Sequence, residues 1–248
     1  MKKQITLLHI YHDLMNLYGD WANVAVLERE LSKRGCEVVI DKKSVSNDID
    51  FDICDFVYIG IGTEQSQIAC MRDLMRYKEE FLEKINVGTP VLATGNSHEL
   101  FGQTVTDSNA KRHEMLGVLD FETVQINTRI TGDCICKVTF LEDKLIGFIN
   151  RAGGSQKGNI ERPFYVEPRE GASYAAGAEG IRCNNLLGTY MTGPVLVRNP
   201  PLLRYFADML TGVQESRESG SKSIEGAESE DLFFKYQEQA YVAALSGL

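Results

Sequence analysis

The sequence lacks the marks of several broad protein classes. Nowhere in its 248 residues do about 18 apolar residues run together, so no segment is expected to span a bilayer. The start is charged, Met-Lys-Lys-Gln, but the apolar run Ile5 to Ile10 is too short for a secretory signal and Tyr11, His12 and Asp13 end it. Basic residues are scarce, 26 against 35 acidic, and the formal charge of −9 has the wrong sign for a nucleic-acid surface. There is no C-x-x-C pair. The six cysteines (Cys36, Cys54, Cys70, Cys134, Cys136 and Cys183) are scattered through partly apolar segments and read as reduced core thiols. Cys134 and Cys136 share a strand face, but without a matched histidine pair they do not make a zinc site. The expectation is a soluble, cytoplasmic protein with no metal, no cofactor, no nucleic-acid partner and no membrane partner.

What is present is a globular composition, 43% apolar and 25% charged, in a chain long enough to bury a core without staples. Ile5 to Tyr11 reads as a strand, and Asp20 reads as an N-cap for a helix beginning at Trp21, with Val24, Leu27 and Leu31 on one face and Gly35 as the stop. Glu37 to Ile40 and Asp55 to Ile61 are further strands, and Glu64 to Ile85 reads as one long amphipathic helix. Pro90 to Thr94 is a central strand ending at Gly95. This alternation implies an α/β fold with a doubly wound, mostly parallel sheet.

From Leu116 consecutive strands are expected at Gly117 to Val124, Thr131 to Phe140, Leu145 to Asn150 and Leu186 to Met191, as an antiparallel extension of the same sheet. Asn199 to Leu210 closes the unit as a helix with Pro200 and Pro201 in its first turn. The chain therefore divides into a domain at residues 1–212, a polar linker at 213–231 and a C-terminal helix at 232–248. The helix stripe of Phe233, Tyr236, Ala240 and Ala244 suits docking on its own domain or on a partner.

Ligands of doubly wound sheets bind beyond the carboxyl ends of the strands, and two loops there carry the signal. In Gly60-Ile61-Gly62-Thr63-Glu64-Gln65, paired glycines let backbone amides approach a ligand at a helix start. Thr94-Gly95-Asn96-Ser97-His98 is a sharp strand-to-helix turn of the kind that presents a nucleophile, but its apex is glycine. Ser97 and Thr94 flank the apex. Ser97 and His98 are sequence neighbours, which point about 100° apart on a helix and so do not form a dyad by adjacency. His9, His12 and His113 fall at core or surface positions.

Together with Leu14 to Asp20, Ile59 to Gln67, Pro90 to Gly102, Leu116 to Phe121, Thr128 to Asp133 and Leu187 to Leu196, these loops resemble the class I glutamine amidotransferases. Within that class the chain is similar to the GatD-type and cobyric acid synthase-like members, over roughly residues 5–212. The resemblance implies a flavodoxin-like fold. It also implies that Gly95 stands at the position of the family cysteine and Thr192 at that of the family histidine, while Gly147-Phe148-Ile149-Asn150-Arg151 departs from a Gly-Phe-Glu-Asn-His pattern.

Losing a nucleophile and its base costs about 10⁶ in turnover, so no catalytic residue and no glutaminase activity is expected. A vestigial pocket is expected at Gly60, Gly62, Gly95, Asn96, Arg129 and Thr192, where Arg129 matches an arginine that holds glutamine in the family. The implied role is a degenerate subunit partnering a Mur-ligase-like amidating enzyme in peptidoglycan synthesis. Two other roles stay open: an active enzyme using a nucleophile near Ser97, and a stand-alone sensor of glutamine or another small carboxylate.

Overall fold

A computed structural model describes residues 2–168, 173–212 and 231–247. The chain opens with β1 (Gln4–Ile10), α1 (Ala22–Lys33), β2 (Glu37–Lys43) and β3 (Phe56–Ile59). It continues through α2 (Glu64–Leu74), α3 (Lys78–Asn86) and β4 (Val91–Thr94). The next strands are β5 (Thr104–Thr106), β6 (Arg112–Glu114), β7 (Phe121–Val138), β8 (Leu145–Gly158), β9 (Phe164–Val166) and β10 (Gly177–Glu179). Then come β11 (Ile181–Cys183), β12 (Leu186–Thr189), β13 (Met191–Thr192), α4 (Val195–Arg198), α5 (Pro200–Thr211) and α6 (Leu232–Gly247).

Among the described residues the first sheet has the order β11-β12-β4-β3-β1-β2, parallel throughout except for the β11 edge. Its strands alternate between two cores. Ile5, Leu7, Phe56, Tyr58 and Leu92 meet α1 and α5 on one face, and Leu8, Ile10, Val57, Ile59, Val91 and Ala93 meet α2 and α3 on the other. Burial on both faces explains why these strands read as continuous apolar runs.

Four expectations need correction. The later strands do not extend the first sheet: β5 to β10 and β13 form a second one around the long β7–β8 pair. Leu186–Thr189 leaves that group and pairs in parallel with β4, because its four residues are all buried and suit a central position. The segments read as Gly117 to Val124 and Thr131 to Phe140 are one strand, β7, with a register shift between Ile126 and Arg129. The long helix from Glu64 is broken by a 3₁₀ turn at Met75–Tyr77. Lys78 occupies the place where the apolar stripe needs a core residue, and the turn re-aims α3 so that Phe81 stacks on Phe51 at 4.7 Å.

Asp20 is the fourth. Its side chain does not cap α1: the helix start has no side-chain cap bond, and the Asp20 carboxylate turns into the core to accept from Ile61 N–H and Thr94 Oγ1.

Residues 213–230 of the expected linker lie outside the described residues. Beyond them α6 packs against α4 and the start of β8, where Gln237 donates to Leu196 O and Val197 O and Tyr241 donates to Lys144 O. Among the described residues, no helix is long and apolar enough to cross a membrane.

Candidate functional site

The carboxyl ends of β3 and β4 carry the two loops singled out above. Past β4 the chain turns into a 3₁₀ segment, Gly95–Phe101, and Gly95 sits in the left-handed region at φ +61°. The turn therefore keeps the strained backbone of a nucleophile elbow while bearing no side chain at its apex. A Cβ built on Gly95 would lie 2.5 Å from Cβ, Cγ1 and Cδ1 of Ile61. Ile61 thus fills the volume into which a nucleophile would project.

Ile61 cannot easily step aside. Its N–H donates to Asp20 Oδ2 at 2.8 Å and its carbonyl accepts from Leu17 N–H at 3.0 Å. Gly60 before it lies so close to the Leu14–Met15 turn that a Cβ there would fall within 3.0 Å of Met15 O. The Gly62 N–H, the third member of this loop, donates to Asn96 Oδ1 at 3.1 Å. Gly60, Gly62, Gly95 and Asn96 are therefore brought together, but two of the loop's amides are already occupied by the protein's own oxygens.

Asp20 is the hub that sequence reasoning missed. It is fully buried, accepts from Thr94 Oγ1 at 2.6 Å as well as from Ile61 N–H, and takes a third bond from Asn23 Nδ2 at 3.0 Å. Burial pushes its pKa up to about 6 while those donors pull it back down. The signal available was an acidic residue with the right type for a cap; nothing local distinguishes a cap from a core anchor.

The remaining expected site residues lie further apart. Thr192 is buried on β13, and its hydroxyl donates to Phe148 O at 3.0 Å on the neighbouring β8. Arg129 stands at the rim on β7, where it bonds Glu64 at 2.7 Å and Asn150 Oδ1 at 3.0 Å. Asn150 in turn donates to Tyr18 OH at 2.8 Å. Both ends of the Arg129–Glu64 pair are nearly half exposed, 48% and 46%, which makes it an exchangeable contact and not a structural one.

Beneath the elbow the hydroxyl, imidazole and carboxylate groups have structural partners, while the buried Gln67 Oε1 has none among the described residues. The Ser97 hydroxyl is fully buried and lies 2.9 Å from Ile59 O and 2.8 Å from Thr94 O, both carbonyls that can only accept its proton. His98 Nδ1 donates to Gly95 O at 2.7 Å, and burial drives its pKa down to about 3, so it is a neutral ring locked in one tautomer. Glu99 accepts from Gln67, Gln125 and Tyr190 in a closed network. Ser97 and His98 are both fully buried, with the hydroxyl and the Nδ1 proton directed at backbone carbonyls. All six cysteines are free thiols, and among the described residues no group of three or more His, Cys, Asp or Glu is arranged to hold a metal ion.

A parallel sheet with this elbow, facing a glycine-flanked amide loop, is the framework of a class I glutamine amidotransferase. Comparison with known proteins gives the particular family. Residues 6–200 match the CobB/CobQ-like glutamine amidotransferase domain, and the chain belongs to that family. It is 31% identical over 206 residues to the lipid II isoglutaminyl synthase (glutamine-hydrolyzing) subunit GatD of Staphylococcus aureus (strain N315), covering 83% of this chain and 84% of that one. It is also 31% identical over 201 residues to the subunit of the same name from Streptococcus pneumoniae (strain ATCC BAA-255 / R6), covering 80% and 77%. Among solved structures, a chain of PurLQS from Thermotoga maritima superposes with TM-score 0.52 at 11% identity, covering 86% of this chain and 97% of that one, which is a likeness of fold. The chain is thus a GatD-like glutamine amidotransferase subunit.

Proposed function

We propose that this subunit has lost glutamine hydrolysis and acts as a structural or regulatory partner of a Mur-ligase-like amidating enzyme, in the cytoplasm and in the lipid II context of its GatD relatives. The observation that carries the reading is Ile61 against the Gly95 apex: the volume of a nucleophile is filled, and the Gly62 amide beside it is closed by Asn96. A thiolate, an imidazole base and free oxyanion donors are all needed for amide hydrolysis by this route, and the reading holds that each has been removed or covered.

The test is reconstitution with a candidate Mur-ligase-like subunit. Co-purification is expected, with amidation of lipid II supported by ammonium salts and not by glutamine. Glutamine-dependent amidation, or ammonia released by the pure subunit, refutes the loss of hydrolysis; absence of any complex refutes the partner role.

A second reading, carboxylate sensing, is favoured by the exposed Arg129–Glu64 contact, in which the guanidinium already holds one carboxylate that an entering acid could replace. Gly60, Gly62, Gly95, Asn96 and Thr192 would line the remainder of that vestigial pocket. Calorimetry with glutamine and glutamate checks it: binding abolished by Arg129→Gln supports sensing, and no heat from either ligand removes it.

A further inference from the structure

A second cavity, of about 380 Å³, opens on the far side of the second sheet from Arg129. Asn150 and Arg151 are adjacent on β8 and so project to opposite faces; Asn150 meets Arg129, while Arg151 enters this cavity together with Arg162, Gln156, Glu179 and Tyr190. The volume falls within the range of small-molecule sites.

Two guanidinium groups in one cavity ordinarily require carboxylate partners. Among the described residues neither Arg151 nor Arg162 makes an ion pair. Arg151 uses one N–H on Ala152 O at 3.1 Å and lies over the Tyr190 ring at 4.6 Å, leaving most of its five N–H donors unengaged. Arg162 is fixed by the Gln156 side chain at 2.6 Å and by weaker bonds to Gly180 O and Gln156 O.

The two buried carboxylates nearby do not take up these donors. Glu99 accepts from Gln67, Gln125 and Tyr190, and Glu179 accepts from Thr189 Oγ1 and from Tyr190 N–H at 3.1 Å. They act on the guanidinium charge through space without contacting it, so among the described residues neither guanidinium has a carboxylate acceptor. Burial draws the Arg162 pKa below its usual range, the strain expected of a cation desolvated without a contacting anion.

We infer that this cavity is a binding site for a small oxyanion, a carboxylate or a phosphate, held by Arg151 and Arg162. The stacking of Arg151 on Tyr190 and the Gln156 bond to Arg162 hold both guanidinium planes in place before the ligand arrives, which lowers the entropy cost of binding. The inference does not rest on the loss of hydrolysis or on the sensing role of Arg129.

Calorimetry at low salt with the full chain, using inorganic phosphate in one arm and L-glutamate in the other, distinguishes the two oxyanion sources. Saturable binding of at least one is expected, weakened tenfold or more by Arg151→Gln and by Arg162→Gln and unchanged by Arg112→Gln, a change at an exposed arginine outside both pockets. A measurement on the unmodified chain covers variants that fail to fold: phenylglyoxal modification mapped by mass spectrometry, with the bound anion protecting Arg151 and Arg162 but not the exposed Arg112. No saturable binding of either anion, or protection confined to Arg129, overturns the inference.

Discussion

On the proposed reading that Gly95 stands where the family carries its cysteine, Gly95→Cys tests whether the site is merely short of a nucleophile or is built around a glycine. Gly95→Cys places a side chain at φ +61°, where a non-glycine residue costs about 1–2 kcal/mol. It also drives a Cβ to 2.5 Å from Ile61 Cβ, an atom fixed to the backbone that no rotamer change can move, and overpacking of that kind costs about 1–3 kcal/mol. The sum, roughly 2–5 kcal/mol, corresponds to a fall in Tm of about 4–20 °C for a chain of this size.

Ile61→Ala cannot relieve the clash, because its Cβ remains. Ile61→Gly can. The expected series is therefore a destabilised Gly95→Cys, a Gly95→Cys/Thr192→His pair that releases no ammonia from glutamine, and relief of the destabilisation only when Ile61→Gly is added. Differential scanning calorimetry and a coupled ammonia assay read the two quantities. A Gly95→Cys chain melting within a degree of the parent, or glutaminase activity in the double variant, would refute the steric account.

Other perturbations follow from the same contacts. Asp20→Asn replaces one acceptor oxygen by a donor facing Ile61 N–H, Thr94 or Asn23, and is expected to lower the urea-unfolding free energy by about 1–3 kcal/mol. Arg129→Gln removes an exposed ion pair and the exposed bonds to Asn150, and should change stability by less than about 0.5 kcal/mol, so any loss of ligand binding in that variant reports the site and not the fold. Gln237→Leu leaves Leu196 O and Val197 O without their α6 donor and should cost about 1–3 kcal/mol, readable as a lower denaturation midpoint.

The pH dependence has opposing parts. Burial lowers His9 to about 4 and His98 to about 3, so the unfolded chain binds their protons first, and stability is lost as pH falls from 6.5 through those values. Asp20, raised to about 6, acts in the opposite sense, because the folded chain binds its proton first and gains stability as pH falls from 6 toward 3.8. Each histidine contributes a decline of roughly 1.4 kcal/mol per pH unit as pH falls below 6, opposed by Asp20 and by Glu99 and Glu179, whose pKa values burial also raises. His9→Phe should flatten that slope in urea titrations, and an unchanged slope would show that His9 does not contribute.

Much of the frame was legible residue by residue. The apolar strands of the first sheet and α1 were marked by local periodicity and by glycine stops, since helix and strand periods are properties of consecutive residues. The order of motif blocks pointed to a glutamine amidotransferase, and residues 6–200 match a family of that class. Other features were not local. The second sheet depends on which long-range pairs form between β7 and β8, and the break in the helix after Leu74 depends on where Phe81 finds Phe51.

The sequence by itself determined the α/β class, the glycine at the elbow and the amidotransferase frame, because each follows from residue type and spacing along the chain. Only the tertiary structure decided that Ile61 occupies the space above Gly95, that Asp20 is a core anchor and not a helix cap, and that Arg151 and Arg162 share one cavity. Those facts join residues 11 to 41 positions apart. Chain spacing does not encode them; packing, which brings distant side chains within a few ångströms, does.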